Sequence, residues 1–282
     1  MIRRLAVIGV GLLGGSVAKM ARAQGIAREV IGIGRDATRL QVAVDDGTLD
    51  RATIDLADGL RDADFVVLAA PVRTIEELLD RIWADVAPDA IVTDVGSSKG
   101  AIVRKAEALA RRLPRTFVGS HPMAGSEKSG YGVARADLFR GALVVVTPAA
   151  TSGPRAVKTV TAFWEHMGAR VMELDPDTHD RAVAAVSHLP HLVACALVDA
   201  VTREMPGALP IAARGFRDTT RIAAGDPRMW QEIFLANQAP LAEALGAFRR
   251  ALTELEALVA AGDPAAVEAA LARIKVAREA VS

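Results

Sequence analysis

The sequence predicts an α/β protein in which a doubly wound, mostly parallel sheet (residues 1–174) is followed by an all-helical domain (residues 175–282). Two observations predict this division. In the first part, short β-branched runs alternate with helical patterns, an order typical of a parallel sheet flanked by helices. After Asp175 the strand patterns stop, and Ala/Leu-rich segments with a period near 3.6 residues follow.

The predicted strands are short apolar runs bounded by turn residues. The run Val66-Val67-Leu68-Ala69-Ala70 is apolar throughout, as expected for a strand that is covered on both faces. The strands are predicted over Leu5–Ile8, Glu29–Gly32, Phe65–Leu68, Ala90–Thr93, Thr116–Gly119, Leu143–Thr147 and Arg170–Glu173, with helices over Gly15–Gln24, Thr74–Ala84 and Gly100–Arg112.

The helical part is divided by glycine and proline residues, and one of its helices carries a long apolar stripe. The members of that stripe are Leu241, Leu245, Phe248, Leu252, Leu255 and Val259. Such a wide apolar face predicts a homodimer surface. Helices packed only on each other within one chain are the alternative.

The charge balance argues against nucleic acid as a partner. Lysine plus arginine equals aspartate plus glutamate at 34 each, so the chain has no net positive field to hold nucleic acid. Cys195 is the single cysteine, lies in the apolar run from Leu189 to Val198, and is expected to be a small buried residue.

The N-terminus begins Met1-Ile2-Arg3-Arg4 and continues with apolar residues, which superficially resembles a signal peptide. Glycines at turn spacing interrupt that run, and no stretch reaches the roughly 18 apolar residues of a membrane-spanning helix. A cytoplasmic protein without a membrane partner is therefore predicted.

A glycine-rich turn follows the first predicted strand directly. Gly9, Gly11 and Gly14 have the spacing in which the first glycine permits a tight turn, the second lets backbone amides approach a pyrophosphate, and the third lets helix and strand pack closely. The following helix would present its free amides to the phosphates. This position predicts a nicotinamide dinucleotide site, to which we also assign Leu12, Leu13, Ala70, Pro71 and Asp94.

The end of the second strand bears on which dinucleotide is bound. An acidic residue expected there for the ribose of NAD is replaced by Gly34, and Arg35 follows. A neutral residue beside an arginine suits the 2′-phosphate of NADP. A shift of one residue would instead put Asp36 on the ribose of NAD, so both cofactors remain open, with NADP favoured.

Two polar loops each follow a predicted strand. One runs from Asp94 through Ser97 to Lys99, and the other contains His121 and Glu127. In open α/β sheets ligands bind at the carboxyl ends of the strands, so both loops are expected to face the same crevice as the glycine turn. A histidine at this place is a candidate for catalysis.

The chain resembles the prephenate/arogenate dehydrogenase family of tyrosine biosynthesis, and the resemblance spans essentially the whole sequence. The segments that carry it are the glycine turn, Asp94-Val95-Gly96-Ser97-Ser98-Lys99, residues 119–130, Ser187-His188-Leu189-Pro190-His191, and Gly215 through Trp230.

The resemblance implies a Rossmann-type domain and an enzyme that oxidatively decarboxylates prephenate or arogenate with hydride transfer to NAD(P)+. His121 matches the histidine that accepts the proton of the ring hydroxyl, and Ser97 matches the serine that orients it. Arg221 matches the arginine that holds a substrate carboxylate, a task suited to a guanidinium fork. The pocket residues it implies, with less specific roles, are His188, His191, Glu127, Asp218 and Trp230.

Other interpretations stay open on the residues alone. The spacing of His188 and His191 could suggest a metal pair, but no third ligand is evident and none is predicted. Arg221 could pair with Asp218, and Trp230 could be a core residue. The same architecture also serves β-hydroxyacid dehydrogenases and imine reductases, or a non-catalytic NADP sensor that keeps only the fold.

Overall fold

A computed structural model describes residues 2–125 and 128–280 of the chain. Within these ranges the chain forms one sheet with the strand order β3-β2-β1-β4-β5-β6-β7-β8. The strands are β1 (Ile2–Ile8), β2 (Ala27–Ile33), β3 (Arg51–Thr53), β4 (Phe65–Leu68), β5 (Ile91–Asp94), β6 (Thr116–Pro122), β7 (Leu143–Pro148) and β8 (Arg170–Glu173). All neighbouring strands are parallel except β6 and β7, which are antiparallel.

The helices are α1 (Leu12–Ala23), α2 (Ala37–Asp45), α3 (Leu56–Leu60), α4 (Val72–Ile82), α5 (Gly100–Ala110), α6 (Pro154–His166), α7 (Pro176–Val183), α8 (Leu189–Glu204), α9 (Arg214–Thr220), α10 (Pro227–Ala236), α11 (Gln238–Ala261) and α12 (Pro264–Glu279). Short 3₁₀ turns lie at Tyr131–Val133, Pro206–Ile211 and Arg221–Ala224, and a π turn lies at Ala184–His188. The predicted fold class, a mostly parallel Rossmann-type sheet followed by helices, is confirmed.

The sheet is buried on both faces, which explains the continuous apolar runs of its strands. Leu5 and Val7 point into one core with α1 and α6. Ala6 and Ile8 of the same strand point into a second core with α4 and α5. Successive strand side chains face opposite sides, so a strand covered by helices on both sides needs apolar residues at every position.

In the helical part, α7, the π turn and α8 form one continuous rod from Pro176 to Glu204. By length and composition this 29-residue rod, which contains an 18-residue stretch with a mean hydropathy of 1.5, is long and apolar enough to cross a membrane. The sequence was expected to contain no membrane-spanning segment, and among the described residues this rod is the place where length and composition alone allow one. The criterion is weak by itself, because helices of soluble proteins pass it as well. Here the rod carries buried polar side chains and contacts α5 and α11.

The apolar stripe of α11 is largely uncovered in the single chain. Leu241 is buried, but Leu252 is 53% exposed and Val259 is 69% exposed. Leu271 and Val276 on α12 are also exposed. The stripe is thus buried at its start, partly buried at Leu245, Phe248 and Leu255, and exposed at Leu252 and Val259.

Candidate active site

The glycine turn has the geometry that a dinucleotide requires. Gly9 has φ +96°, and a Cβ there would overlap the carbonyl of Ala69. A Cβ on Gly14 would overlap the carbonyl of Gly9, whereas one on Gly11 would meet nothing within 4 Å. The outer two glycines therefore serve the turn and the close packing of α1, and the middle one leaves open space for a ligand.

The beginning of α1 fits a phosphate group. The residue before its first turn, Gly11, makes no side-chain cap, and no acidic residue lies in that turn. The first amides of a helix lack partners within the helix and carry its positive end. Ala70 and Pro71 lie in the segment between β4 and α4, next to the turn at Gly9, where the sequence predicts a cofactor contact.

The end of β2 places Gly34 directly after the strand and exposes Arg35. Asp36 accepts a hydrogen bond from the backbone amide of Arg39 at 3.1 Å, and its other oxygen lies 3.3 Å from the Arg39 guanidinium. The Asp36 carboxylate thus caps α2. Each oxygen has one contact in this cap, and the half-exposed carboxylate keeps acceptor sites that a ribose could use.

Asp94 has a structural role in place of the cofactor contact that was predicted for it. Its side chain is fully buried and forms an ion pair with the equally buried Lys99. It also accepts hydrogen bonds from the amides of Gly96 (2.8 Å) and Ser120 (3.1 Å). Both carboxylate oxygens are therefore used inside the protein, because Lys99 folds back onto the end of β5.

Lys99 also holds the strand that carries His121. Its ammonium donates to the carbonyl of Ser120 at 3.0 Å, one residue before the histidine. Burial lowers the pKa of Lys99, while the charge of Asp94 and the hydrogen bond to it oppose that shift. The ends of β5 and β6 are thus joined under the candidate site.

His121 lies at the end of β6 and contacts a residue that sequence reasoning missed. Its Nδ1 lies 2.9 Å from Nε2 of His179, on α7. Nδ1 of His179 in turn lies 2.8 Å from Oδ1 of Asp180. Ser97 is partly buried on the neighbouring β5–α5 loop. No hydrogen bond joins Ser97 to His121 within the described residues, so the predicted orienting contact is made by His179 instead.

Asp180 ends this chain of contacts at the beginning of α5. It accepts hydrogen bonds from the backbone amides of Lys99 (2.7 Å) and Gly100 (2.8 Å). Burial alone would raise the pKa of Asp180, but the hydrogen bonds from His179 and from these amides bring it below its ordinary value. The carboxylate is therefore held in its ionised form.

Burial keeps His121 and His188 neutral. It lowers the pKa of His121 well below its ordinary value, and the nearby charges of His179, Lys99 and His188 act in the same direction. Burial also lowers the pKa of His188 to about 4. The Nδ1 of His188 lies 3.1 Å from the side-chain amide of Asn237, which also donates to the carbonyl of Asp180.

His191 and Trp230 form a second wall in the helical part. Their rings stack at a centroid distance of 3.5 Å. A Cβ on Gly225 would touch both side chains. Together with Cys195 and Phe234 they line a cavity of about 390 Å³. Trp230 is therefore a lining residue rather than a core residue.

The remaining predicted site residues are on the surface or outside the described ranges. Arg221 begins the 3₁₀ turn Arg221–Ala224 and is exposed, as is Asp218 on α9. Both side chains are described and no ion pair joins them, so the alternative in which Arg221 pairs with Asp218 finds no support. Glu127 lies outside the described residues. Within those residues, no group of three possible ligands could hold a metal ion.

Comparison with known proteins identifies the family of this chain. Residues 17–173 match the family model "Prephenate dehydrogenase, nucleotide-binding domain", and residues 175–273 match "Prephenate dehydrogenase, dimerization domain". The cyclohexadienyl dehydrogenase of Zymomonas mobilis is 34% identical over 273 residues, which cover 93% of this chain and 90% of the relative.

Two solved structures are similar over nearly their full length. Prephenate dehydrogenase from Aquifex aeolicus, in complex with hydroxyphenyl propionate and NAD+, has a TM-score of 0.92 at 35% identity, covering 100% of this chain and 99% of that one. Synechocystis arogenate dehydrogenase has a TM-score of 0.89 at 32% identity, covering 99% and 100%.

A Rossmann-type domain with a glycine turn, next to a histidine at the end of a parallel strand, defines a nicotinamide-dependent dehydrogenase. The matches to both halves of the chain make the assignment specific. The chain belongs to the prephenate dehydrogenase family.

Proposed function

We propose that this enzyme oxidatively decarboxylates prephenate, arogenate or both, with hydride transfer to NAD(P)+. The observation that carries the proposal is the position of His121. It lies at the carboxyl end of β6, where ligands of such sheets bind, and its Nδ1 is held by His179. The family match supports this activity over a β-hydroxyacid dehydrogenase or a non-catalytic sensor.

In this mechanism His121 is the general base. Its lowered pKa keeps the imidazole neutral at neutral pH, so Nε2 is ready to accept the proton of the ring hydroxyl. The bound nicotinamide supplies the hydride acceptor. As the carbinol becomes a carbonyl, the ring carboxylate leaves as CO2, and its bonding electrons make the ring aromatic. The proton on His121 returns to the phenolic oxygen, so the base is regenerated.

The other residues carried over from the family bind the substrate in this proposal. Arg221 would hold a carboxylate, since its exposed guanidinium has no ion-pair partner among the described residues and is available for a charge-assisted contact. Ser97 would contact the hydroxyl from the β5–α5 loop. The residues assigned to the rest of the pocket are His188, His191, Glu127, Asp218 and Trp230.

We further propose that the dinucleotide contacts Gly9, Gly11, Leu12, Leu13 and Gly14 and that NADP is preferred over NAD. Gly34 leaves no carboxylate at the end of β2, and Arg35 is exposed beside it. Asp36 is engaged as the cap of α2. An NAD+ complex of the Aquifex relative supports nicotinamide binding, while the phosphate preference rests on this chain's own residues.

The assembly that we propose is a cytoplasmic homodimer formed by the helical domain. The exposed stripe on α11 and the exposed apolar residues of α12 support it, because uncovered apolar faces of this kind are typical of subunit interfaces. The match of residues 175–273 to a dimerization domain supports the same face.

The experiment that tests the activity follows the absorbance of the reduced cofactor with each combination of prephenate or arogenate and NAD+ or NADP+. We expect turnover with at least one combination. The variant His121→Asn should lose at least about 100-fold in kcat, with cofactor affinity unchanged. His166→Asn, which changes an exposed histidine on α6, is the matched control. Near-normal kcat in His121→Asn would refute the assignment of the base.

A further inference from the structure

The hydrogen bonds from Nδ1 of His121 to His179 and on to Asp180 determine which ring nitrogens carry protons. Asp180 is held by the amides of Lys99 and Gly100, so its carboxylate acts only as an acceptor. Nδ1 of His179, 2.8 Å from Oδ1 of Asp180, must therefore carry a proton and donate it.

In the form of His179 that carries a single ring proton, that proton is on Nδ1 and Nε2 has a lone pair. Because this lone pair faces Nδ1 of His121 at 2.9 Å, His121 must be the donor of that hydrogen bond. The proton of neutral His121 is thus on Nδ1, and Nε2 has the lone pair. This is the tautomer in which His121 acts as a base at the nitrogen away from His179.

The surroundings of His121 disfavour a positive charge on its own ring. Lys99 and His188 lie near it, the first as a cation, and His188 is kept neutral by burial and bonded to Asn237. The carboxylate of Asp94 is paired with Lys99. Among the described residues around the ring, Asp180 is the anion that the hydrogen bonds of His121 reach, and they reach it through His179.

We propose that His179 and Asp180 form a proton relay with His121, an inference that rests on the proposed function. When Nε2 of His121 accepts the hydroxyl proton, the Nδ1 proton of His121 moves to Nε2 of His179. His121 is then neutral again, and the charge is on His179 in direct contact with the carboxylate of Asp180. The reverse movement returns the proton to the phenolic oxygen. His179 is a positioning residue in the resting enzyme and takes the charge during turnover.

The relay resembles the logic of a catalytic triad, in which a buried carboxylate orients a histidine and stabilises its charged form. It differs in that a second histidine separates the base from the carboxylate. This separation follows from the fold. His121 lies on β6, whereas Asp180 is fastened to the amides that begin α5, and His179 on α7 spans the gap.

The first test uses the wild-type protein without substrate. Nitrogen-15 chemical shifts of the histidine rings at pH 7.5 should show His121 and His179 with protons on Nδ1. The five histidines of the chain are assigned by single substitutions, with His166→Asn as the reference for an exposed ring. A proton on Nε2 of either His121 or His179 would overturn the relay. This result does not depend on which substrate the enzyme uses.

The second test separates orientation from proton transfer. In His179→Gln, the amide oxygen can accept from Nδ1 of His121 but cannot take a proton. We expect about a 100-fold loss of single-turnover rate with KM within about 2-fold. The rate in mixtures of H2O and D2O should change from a curved dependence on deuterium content, typical of two moving protons, to a linear one.

Asp177→Asn is the matched control, because Asp177 lies on the same helix, is exposed and pairs only with Arg104 in the contacts described. It should keep both the rate and the curved dependence. A His179→Gln enzyme with a rate near wild type, or with a curved dependence, would overturn the proposal. If wild type turned over no substrate while the Nδ1 tautomers were found, the proposed function would fail and the tautomer assignment would stand.

Discussion

Replacing Lys99 by methionine should destabilise the protein far more than removing an ordinary surface lysine. Lys99 and Asp94 are both fully buried, and each is the other's charged partner. Removing one member of a buried pair typically costs about 3–5 kcal/mol, because the remaining charge stays in the interior uncompensated. Here the amides of Gly96 and Ser120 still donate to Asp94, so the lower end, about 3 kcal/mol, is expected.

This loss corresponds to a fall in Tm of about 6–12 °C, at roughly 2–4 °C per kcal/mol for a domain of this size. Urea unfolding followed by tryptophan fluorescence measures the change in the free energy of unfolding directly. Trp164 reports on this region because its indole nitrogen lies 3.1 Å from the hydroxyl of Ser120. The double variant Lys99→Met/Asp94→Asn should recover part of the loss, because no charge is then left buried.

Lys105→Met provides the control on the same helix. Lys105 pairs with Asp80 at 2.7 Å, but both side chains are at least one third exposed. An exposed pair contributes about 0–1 kcal/mol. If Lys99→Met cost no more than Lys105→Met, the reasoning from burial would be refuted.

Three further predictions concern substrate, cofactor and pH. Arg221→Ala should raise KM for the dienol about 10-fold or more with a smaller change in kcat, as expected for a lost charge-assisted contact; an unchanged KM would move the carboxylate site elsewhere. Arg35→Ala should weaken NADP binding, measured by calorimetry, and leave NAD unaffected; equal losses would reject the phosphate contact. The pKa of His188 is lowered to about 4, so the unfolded chain binds its proton first as pH falls from 6.5 towards 4. Because of this histidine, the free energy of unfolding should fall by up to about 3 kcal/mol as the pH drops through that range. In His188→Asn, the free energy of unfolding measured in urea should fall less between pH 7 and pH 4.5 than in the wild type.

The strands and the glycine turn were predictable because their signals are local. A strand covered on both faces shows an uninterrupted apolar run, and the turn needs glycine at particular positions. The edge strand Arg51–Thr53 escaped prediction. Its three residues are only partly buried and become a strand by pairing with β2. The antiparallel direction of β7 also depends on the path of the chain between strands, which no local pattern records.

The site was predictable only where a motif marked it. His121 and Ser97 lie in recognisable loops, whereas His179 and Asp180 lie on a helix whose beginning, Asp175-Pro176, indicates a cap and nothing catalytic. Their role arises when α7 packs against the beginning of α5. Asp94 was assigned to the cofactor because of its position in the sequence alone. Its place at the end of β5 is visible in the sequence, but the return of Lys99 onto it is not.

Lys99 joins the two halves of this chemistry. Its side chain holds Asp94 and the carbonyl of Ser120, which fixes the backbone just before His121. Its backbone amide holds Asp180, the acceptor at the far end of the relay. A displacement of α5 would therefore carry both ends of the hydrogen-bonded chain with it. Because Lys99 holds the backbone on both sides of the His121–His179 pair, Lys99→Met should reduce kcat as well as stability. The double variant should recover part of the stability but not kcat, because a methionine at position 99 cannot donate to the carbonyl of Ser120.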